Sequence, residues 1–241
     1  MQIKRQDRIV FLRSLLANFA SVRVEGAANL PASGGAVIVC NHTDLSDGLI
    51  QLLYTPRPLV FLAKSELFES GGNLRISDII EGNEFFRQFP SDILADMMSL
   101  AGQFIQDVDA MPVIRGYRGV HRRDAAAYYR ELAESVVKRL TAGELVAIYP
   151  EGRRSTSGEL LPFKGFAARM ALLARVRVIP CCIQGNTGLA SPRLMEKNSP
   201  RSVIYKIGQS ILPEEFPEGG GKYAVKRLTQ KIEARVKELS G

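Results

Sequence analysis

The sequence predicts an α/β fold, a mixed and largely parallel sheet flanked by helices, with an N-terminal amphipathic helix in front and a helical insertion within. Three observations lead there. From Ala36 onward, short apolar runs of strand length alternate with stretches of helical periodicity. A long helical pattern, Arg123 to Leu140, ends before Gly143 and gives way at once to the apolar run Leu145 to Tyr149, as when a helix returns the chain to a sheet. A glycine triplet, Gly219-Gly220-Gly221, releases a last amphipathic pattern, Tyr223 to Leu239. At 241 residues the chain suits one large domain. Residues 1–21 are assigned to the N-terminal helix and 22–241 to the domain, with the insertion at about 66–110.

The elements follow in order. Ile9, Leu12, Leu16 and Phe19 recur at spacings of three and four, and Lys4, Arg5, Arg8 and Arg13 oppose Asp7 alone, so the N-terminus reads as a basic amphipathic helix. Such a helix packs on the core with a solvated outer face or lies on a membrane surface, and the sequence leaves both open. Ala36 to Cys40 is expected to be a strand, Asp47 to Tyr54 a short helix, and Leu59 to Ala63 a second strand. Glu66 to Ala110 holds nine acidic side chains against Arg75 and Arg87, so the remaining surface is more basic than the total suggests. Within it, Leu94, Met97, Met98, Leu100, Phe104 and Ile105 give Ile93 to Ile105 the stripe of a helix capping the core. Met111 to Ile114 reads as a short strand, Phe166 to Ala174 as a helix, and Val176 to Ile183 and Ser202 to Ile207 as strands. Sites in such sheets lie at the carboxyl ends of the strands.

Composition narrows the function. Lys plus Arg number 32 against 25 Asp plus Glu, a net charge of +7, which calls for an anionic partner such as nucleic acid, a phospholipid surface or a phosphorylated metabolite. Cys40, Cys181 and Cys182 form neither an even disulfide framework nor a Cys-x-x-Cys pair, and read as buried thiols of a reducing compartment. No uncharged stretch reaches the ~18 residues of a spanning helix. Ile9 to Ala20, interrupted by Arg13, lacks a cleavage site, so no secretory signal is expected and the mature chain is expected to begin near Met1.

Two blocks carry the chemistry. Asn41-His42-Thr43-Asp44-Leu45-Ser46-Asp47-Gly48 stands at the carboxyl end of the first predicted strand. An imidazole there can take a proton from an attacking hydroxyl, and a carboxylate on its other nitrogen fixes the tautomer and steadies the imidazolium. If His42 leaves the strand and Asp47 opens the next helix, the two meet. Ser46 or Asp44 can equally serve as helix caps. The second block, Tyr149-Pro150-Glu151-Gly152-Arg153-Arg154-Ser155, follows another apolar strand, with Lys164 just beyond. Gly152, Arg153, Arg154 and Lys164 supply the guanidinium forks, amine and flexible backbone that a phosphate needs. Arg115, after Met111-Pro112-Val113-Ile114, adds a third source of positive charge at the same edge.

In this order and spacing the blocks resemble the glycerolipid acyltransferases of the lysophosphatidate (1-acyl-glycerol-3-phosphate) acyltransferase family. The resemblance rests on Asn41, His42 and Asp47; on Arg115; on Pro150, Glu151, Gly152, Arg154 and Ser155; and on Val178, Ile179 and Pro180, across roughly Val22 to Leu212. It implies His42 and Asp47 as the catalytic pair, and Arg115, Glu151, Gly152, Arg153, Arg154, Ser155 and Lys164 as substrate-binding residues. It further implies transfer of a fatty acyl chain from an acyl thioester, acyl-coenzyme A or acyl carrier protein, to the free hydroxyl of lysophosphatidate, another lysolipid or glycerol 3-phosphate. No cofactor is implied, and the expected place is peripheral, on the cytoplasmic face of a membrane. The sequence departs from the family where Arg153 stands at a position commonly Thr, and where the acidic insertion lengthens the link between blocks.

Other signals are weaker. His121 has no second histidine or acid at ligand spacing, so no metal is assigned. Asn41-His42-Thr43 fits the glycosylation pattern by coincidence in a reducing, signal-free chain. Gly116-Tyr117-Arg118-Gly119 has the form of a nucleic-acid-clamping loop, which with the positive charge keeps a nucleic-acid binder as the rival class, although no nucleic-acid partner is expected. A lipid-binding protein without turnover is a third class, against which the intact His42 and Asp47 argue.

Overall fold

The most apolar strand, Ala36–Cys40 (β2), is buried at all five positions because it has a neighbour on each side and helices over both faces. The computed structural model describes residues 4–65, 109–114, 122–189, 200–216 and 221–241. Among these, β2 is joined in one seven-stranded sheet by β1 (Ala20–Glu25), β3 (Leu59–Lys64), β4 (Asp109–Val113), β5 (Leu145–Ile148), β6 (Arg177–Gln184) and β7 (Arg201–Ile207). The order is β1-β7-β6-β2-β5-β3-β4, and every pair is parallel except β6 with β7. The expected mixed, largely parallel sheet is therefore the one observed. The helices are α1 (Arg5–Ala17), α2 (Ser46–Tyr54), α3 (Arg122–Thr141), α4 (Phe166–Ala174) and α5 (Lys222–Ser240).

Strand alternation divides the core in two. Ile38 and Cys40 of β2 face Leu16 of α1 and Ile50 and Leu53 of α2. Val37 and Val39 face Val136 and Leu140 of α3, Met170 of α4, and Leu228 and Ile232 of α5. Parallel pairing of β2 with β5, Ala36 opposite Leu145, and with β6, Ala36 opposite Arg177, brings three carboxyl ends to one edge as neighbours. The chemistry-bearing blocks follow β2 and β5.

The N-terminus differs from the expectation. The helix stops at Ala17, and Ala20, inside the segment assigned to it, already begins β1. That strand runs parallel to β7, Ala20 opposite Arg201, so Phe19 lies in the turn rather than on a helical stripe. Ile9, Leu12 and Leu16 do pack on the core. Arg13, expected to contribute to a basic face, instead donates to the Leu53 carbonyl through Nε (2.9 Å) and Nη2, and its guanidinium lies 4.9 Å from the Tyr54 ring centroid. The Asp109 and Ala110 end of the proposed insertion belongs to β4; residues 66–108, with the expected capping helix Ile93 to Ile105, lie outside the described residues.

Candidate active site

β2 ends at Cys40, and the chain leaves the sheet through Asn41. Asn41 Nδ2 donates to the Ile183 carbonyl (2.9 Å) and its Oδ1 accepts from the Ile183 amide (2.8 Å), so the side chain forms one more rung between β2 and β6. His42 follows, stacked on Tyr149, the residue after β5, with centroids 4.2 Å apart and planes 17° from parallel. The Tyr149 hydroxyl donates to Gln51 Oε1 of α2 (2.9 Å). Burial holds that phenol protonated, well above its ordinary value.

The expected pair meets. His42 Nδ1 lies 2.8 Å from Asp47 Oδ2 at the start of α2, and the same oxygen accepts the amides of Thr43 (2.8 Å) and Asp44 (3.0 Å). An oxygen taking two N–H groups is an acceptor, so Nδ1 carries the proton, which in the neutral ring leaves the lone pair on Nε2. Asp47 is fully buried while the imidazole keeps 13% of its side-chain surface open, and Nε2 has no hydrogen-bond partner among the described residues. This arrangement can act as a general base.

The second block wraps this pair from below. Glu151, 3% exposed, accepts the His42 amide at Oε1 (2.8 Å) and the Leu161 amide at Oε2 (2.9 Å), while the Ser155 amide donates to the His42 carbonyl (2.7 Å). Burial raises the Glu151 carboxyl above its ordinary value, and the two amide bonds pull against it. Both oxygens thus fix main chain, holding the histidine's backbone. Ser155 is buried as well, its Oγ 3.3 Å from that of Ser157. Arg153, Arg154 and Lys164 are exposed beside this bracket. Gly152 has φ +71°, and a Cβ there would stand 2.7 Å from Lys164 Nζ, so the glycine leaves room for the amine to lie against the turn. Arg115 lies outside the described residues. The strand before it in sequence, β4, ends at Val113, at the same edge three strands from β2, or roughly 14 Å at ordinary strand spacing.

Three contributors have no place among the expected site residues. Tyr149 adds a stacked ring, Gln51 anchors it from the buried face of α2, and Asn186 after β6 donates to Asp47 Oδ1 (2.5 Å). The signal for Tyr149 is its place directly before Pro150-Glu151. Asn186 sits in a Gly-Asn-Thr turn after a strand, a polar residue at the edge that already holds the other blocks.

The chain as a whole is similar to known proteins. The sequence model of the Acyltransferase family matches residues 21–77 and 89–184, more than half of the chain, and leaves only 78–88 of the proposed insertion outside the match. A 1-acyl-sn-glycerol-3-phosphate acyltransferase of Bacillus subtilis is 24% identical over 229 residues, covering 95% of this chain and 92% of its own length. The alpha form of that enzyme from Mus musculus is 28% identical over 215 residues, with 87% and 63% covered. The crystal structure of the 1-acyl-sn-glycerophosphate (LPA) acyltransferase PlsC from Thermotoga maritima superposes with a TM-score of 0.61 at 21% identity, covering 98% of this chain and 80% of that one, and so shares its fold. With the His42–Asp47 pair and the Pro-Glu-Gly bracket lying inside the matched segments, the chain belongs to the acyltransferase family.

Proposed function

We propose that this chain moves a fatty acyl group from an acyl thioester to the free hydroxyl of lysophosphatidate, as a 1-acyl-glycerol-3-phosphate O-acyltransferase of phospholipid synthesis. The observation that carries the proposal is His42 with a buried carboxylate on Nδ1 and an Nε2 that has no partner among the described residues. The Bacillus subtilis relative, matched along nearly its whole length and named for that reaction, supports the acceptor.

In this reading the acceptor hydroxyl hydrogen-bonds to Nε2. As its oxygen attacks the thioester carbonyl, its proton passes to Nε2 and the carbonyl oxygen takes up the charge. Collapse of the tetrahedral species restores the carbonyl and breaks the carbon–sulfur bond, and the departing thiolate takes the proton back from Nε2. Ester and thiol are the products. Asp47 steadies the imidazolium between the two transfers. No acyl-enzyme forms, and because the thioester is a substrate the chemistry calls for no resident cofactor or metal. Arg115, Arg153, Arg154 and Lys164 hold the acceptor phosphate, the arginines through paired N–H groups. Coenzyme A and acyl carrier protein present the same thioester and both fit the scheme.

Contact with a membrane follows from the lipid acceptor. No helix among the described residues is long and apolar enough to cross a bilayer. On α1, Val10 and Phe11 are 57% and 46% exposed while Ile9, Leu12 and Leu16 face the core. An exposed Val-Phe pair near Lys4 suits a peripheral attachment to the cytoplasmic face of an anionic bilayer.

The test is release of free thiol and formation of diacylated product by the purified chain. Acyl-coenzyme A and acyl carrier protein donors are crossed with lysophosphatidate, other lysolipids and glycerol 3-phosphate. Transfer to lysophosphatidate above all other acceptors is expected; a clear preference for a different acceptor overturns the assignment. Replacing Val10 and Phe11 by Asp should release the protein from anionic vesicles in co-sedimentation, and unchanged binding would reject the attachment.

A further inference from the structure

We infer that Asn186 is a positioning residue for acyl transfer: from the loop after β6 it holds the Asp47 carboxylate in the orientation that aims Oδ2 at His42. This rests on the reading of His42 as general base. Asn186 is 1% exposed. Its Nδ2 faces Asp47 Oδ1 at 2.5 Å and Ser46 Oγ at 3.2 Å, and its Oδ1 lies 3.4 Å from Thr43 Oγ1, which orients the amide with its nitrogen toward the carboxylate.

The two oxygens of Asp47 are held from different sides. Oδ2 takes three N–H groups, all from the turn between His42 and Asp44. Oδ1 takes Asn186, 139 residues away in sequence. In a carboxylate with no exposed surface, the charge on Oδ1 has no solvent to meet it, so the Asn186 amide both solvates that oxygen and stops rotation about the carboxyl bond. The same loop holds the other acid of the block: the Gly188 amide donates to Asp44 Oδ2 (2.8 Å), while Asp44 Oδ1 accepts the Ser46 amide (2.9 Å). The β6–β7 loop thereby locks the His42–Asp47 turn at both of its acids. Without Asn186 the carboxylate can turn and His42 can adopt the wrong tautomer, with the proton on the nitrogen that must accept one.

The experiment pairs kinetics with a measurement that needs no substrate. Outer partners that orient a reactive group typically account for about 10- to 100-fold in activity, so Asn186→Ala should lower kcat by that factor. KM for donor and acceptor should stay within about twofold. Asn186→Asp, which keeps the shape but replaces the donor with a second anion, should fall at least as far, and serves if the alanine variant does not fold. Asp47→Ala and the double variant Asp47→Ala/Asn186→Ala should be equally slow, because Asn186 acts through Asp47; losses that multiply, or an Asn186→Ala enzyme of native kcat, overturn the proposal. The chain has two histidines, His42 and His121, so nitrogen-15 spectra of the imidazoles are assigned with one His121→Gln variant. The neutral His42 ring should carry its proton on Nδ1 in the native protein and divide it between both nitrogens in Asn186→Ala or Asn186→Asp. An unchanged tautomer there overturns the proposal with the acyl-transfer reading intact, whereas failure of the native chain to release thiol overturns that reading itself.

Discussion

Replacing Glu151 by Gln separates two accounts of the Pro-Glu-Gly turn, one in which the acid meets the acceptor and one in which it braces the catalytic histidine. Its oxygens accept the His42 and Leu161 amides at 2.8 and 2.9 Å, and 3% of the residue is exposed. Gln keeps one acceptor and turns an NH2 toward the other amide. A hydrogen bond to a charged group contributes ~1.5–3 kcal/mol, and removing a buried charge relieves part of that loss, leaving a net cost of about 1–2 kcal/mol. For a domain of this size each kcal/mol lowers Tm by roughly 2–4 °C. The variant should therefore melt several degrees lower, with reduced kcat and an unchanged acceptor KM. The pH dependence has a definite sign. The folded carboxyl titrates above its ordinary value of 4.5, so between the two values the folded state binds more protons than the unfolded. This contribution to stability is fully present below the ordinary value and is lost as pH rises through the folded one. The deficit of the Gln variant should accordingly shrink over that window in denaturation curves. A variant with native Tm and kcat but an acceptor KM raised tenfold would refute the bracing account.

Other consequences are as direct. His42→Ala should lose at least ~10²-fold in turnover, the lower bound for a well-placed base, while the protein stays folded, as a cooperative melting curve will show. Gly152→Ala places a side chain at φ +71° and 2.7 Å from Lys164 Nζ; strain of this kind costs on the order of 1–3 kcal/mol, so Tm should fall, and displacement of the amine should raise KM for the phosphorylated acceptor alone. Burial pushes the thiols of Cys181 and Cys182 up to about 12 and about 11, from 9.0, so native protein should resist thiol reagents that label it fully in urea. Above pH 9 the unfolded thiols ionise while the folded ones do not, and urea midpoints should fall toward pH 11, less steeply in a variant with both changed to Ala.

The sequence reveals the middle of the sheet and the β4 edge and hides the β1 edge. Ala36–Cys40 and Phe166–Ala174 form with the expected limits, because continuous burial or a full helical period leaves one solution. Ala20–Glu25 alternates Ala, Val and Val with polar residues, the period of a half-buried strand, but it follows the helical stripe with no glycine or proline between them and pairs with a strand some 180 residues away. The His42–Asp47 contact is legible because five residues spanning a strand end and a helix start must fold back. The inward aim of Glu151 and the reach of Asn186 are not, since each depends on which main chain parallel pairing brings alongside. Arg13 illustrates the converse: a cation in a basic run whose partner, the end of α2, is set by packing alone.

The rung made by Asn41 calls for a side chain that both donates and accepts at that reach. Where β2 and β6 part company, each would present unpaired peptide groups; a carboxamide copies the missing peptide unit, giving and receiving at once. Asp would lack the donor, and Gln would overshoot by a methylene. The residue preceding His42 is thus dictated by carpentry of the sheet rather than by reactivity, and a loss of turnover on changing it would report a frayed seam instead of a missing reactant.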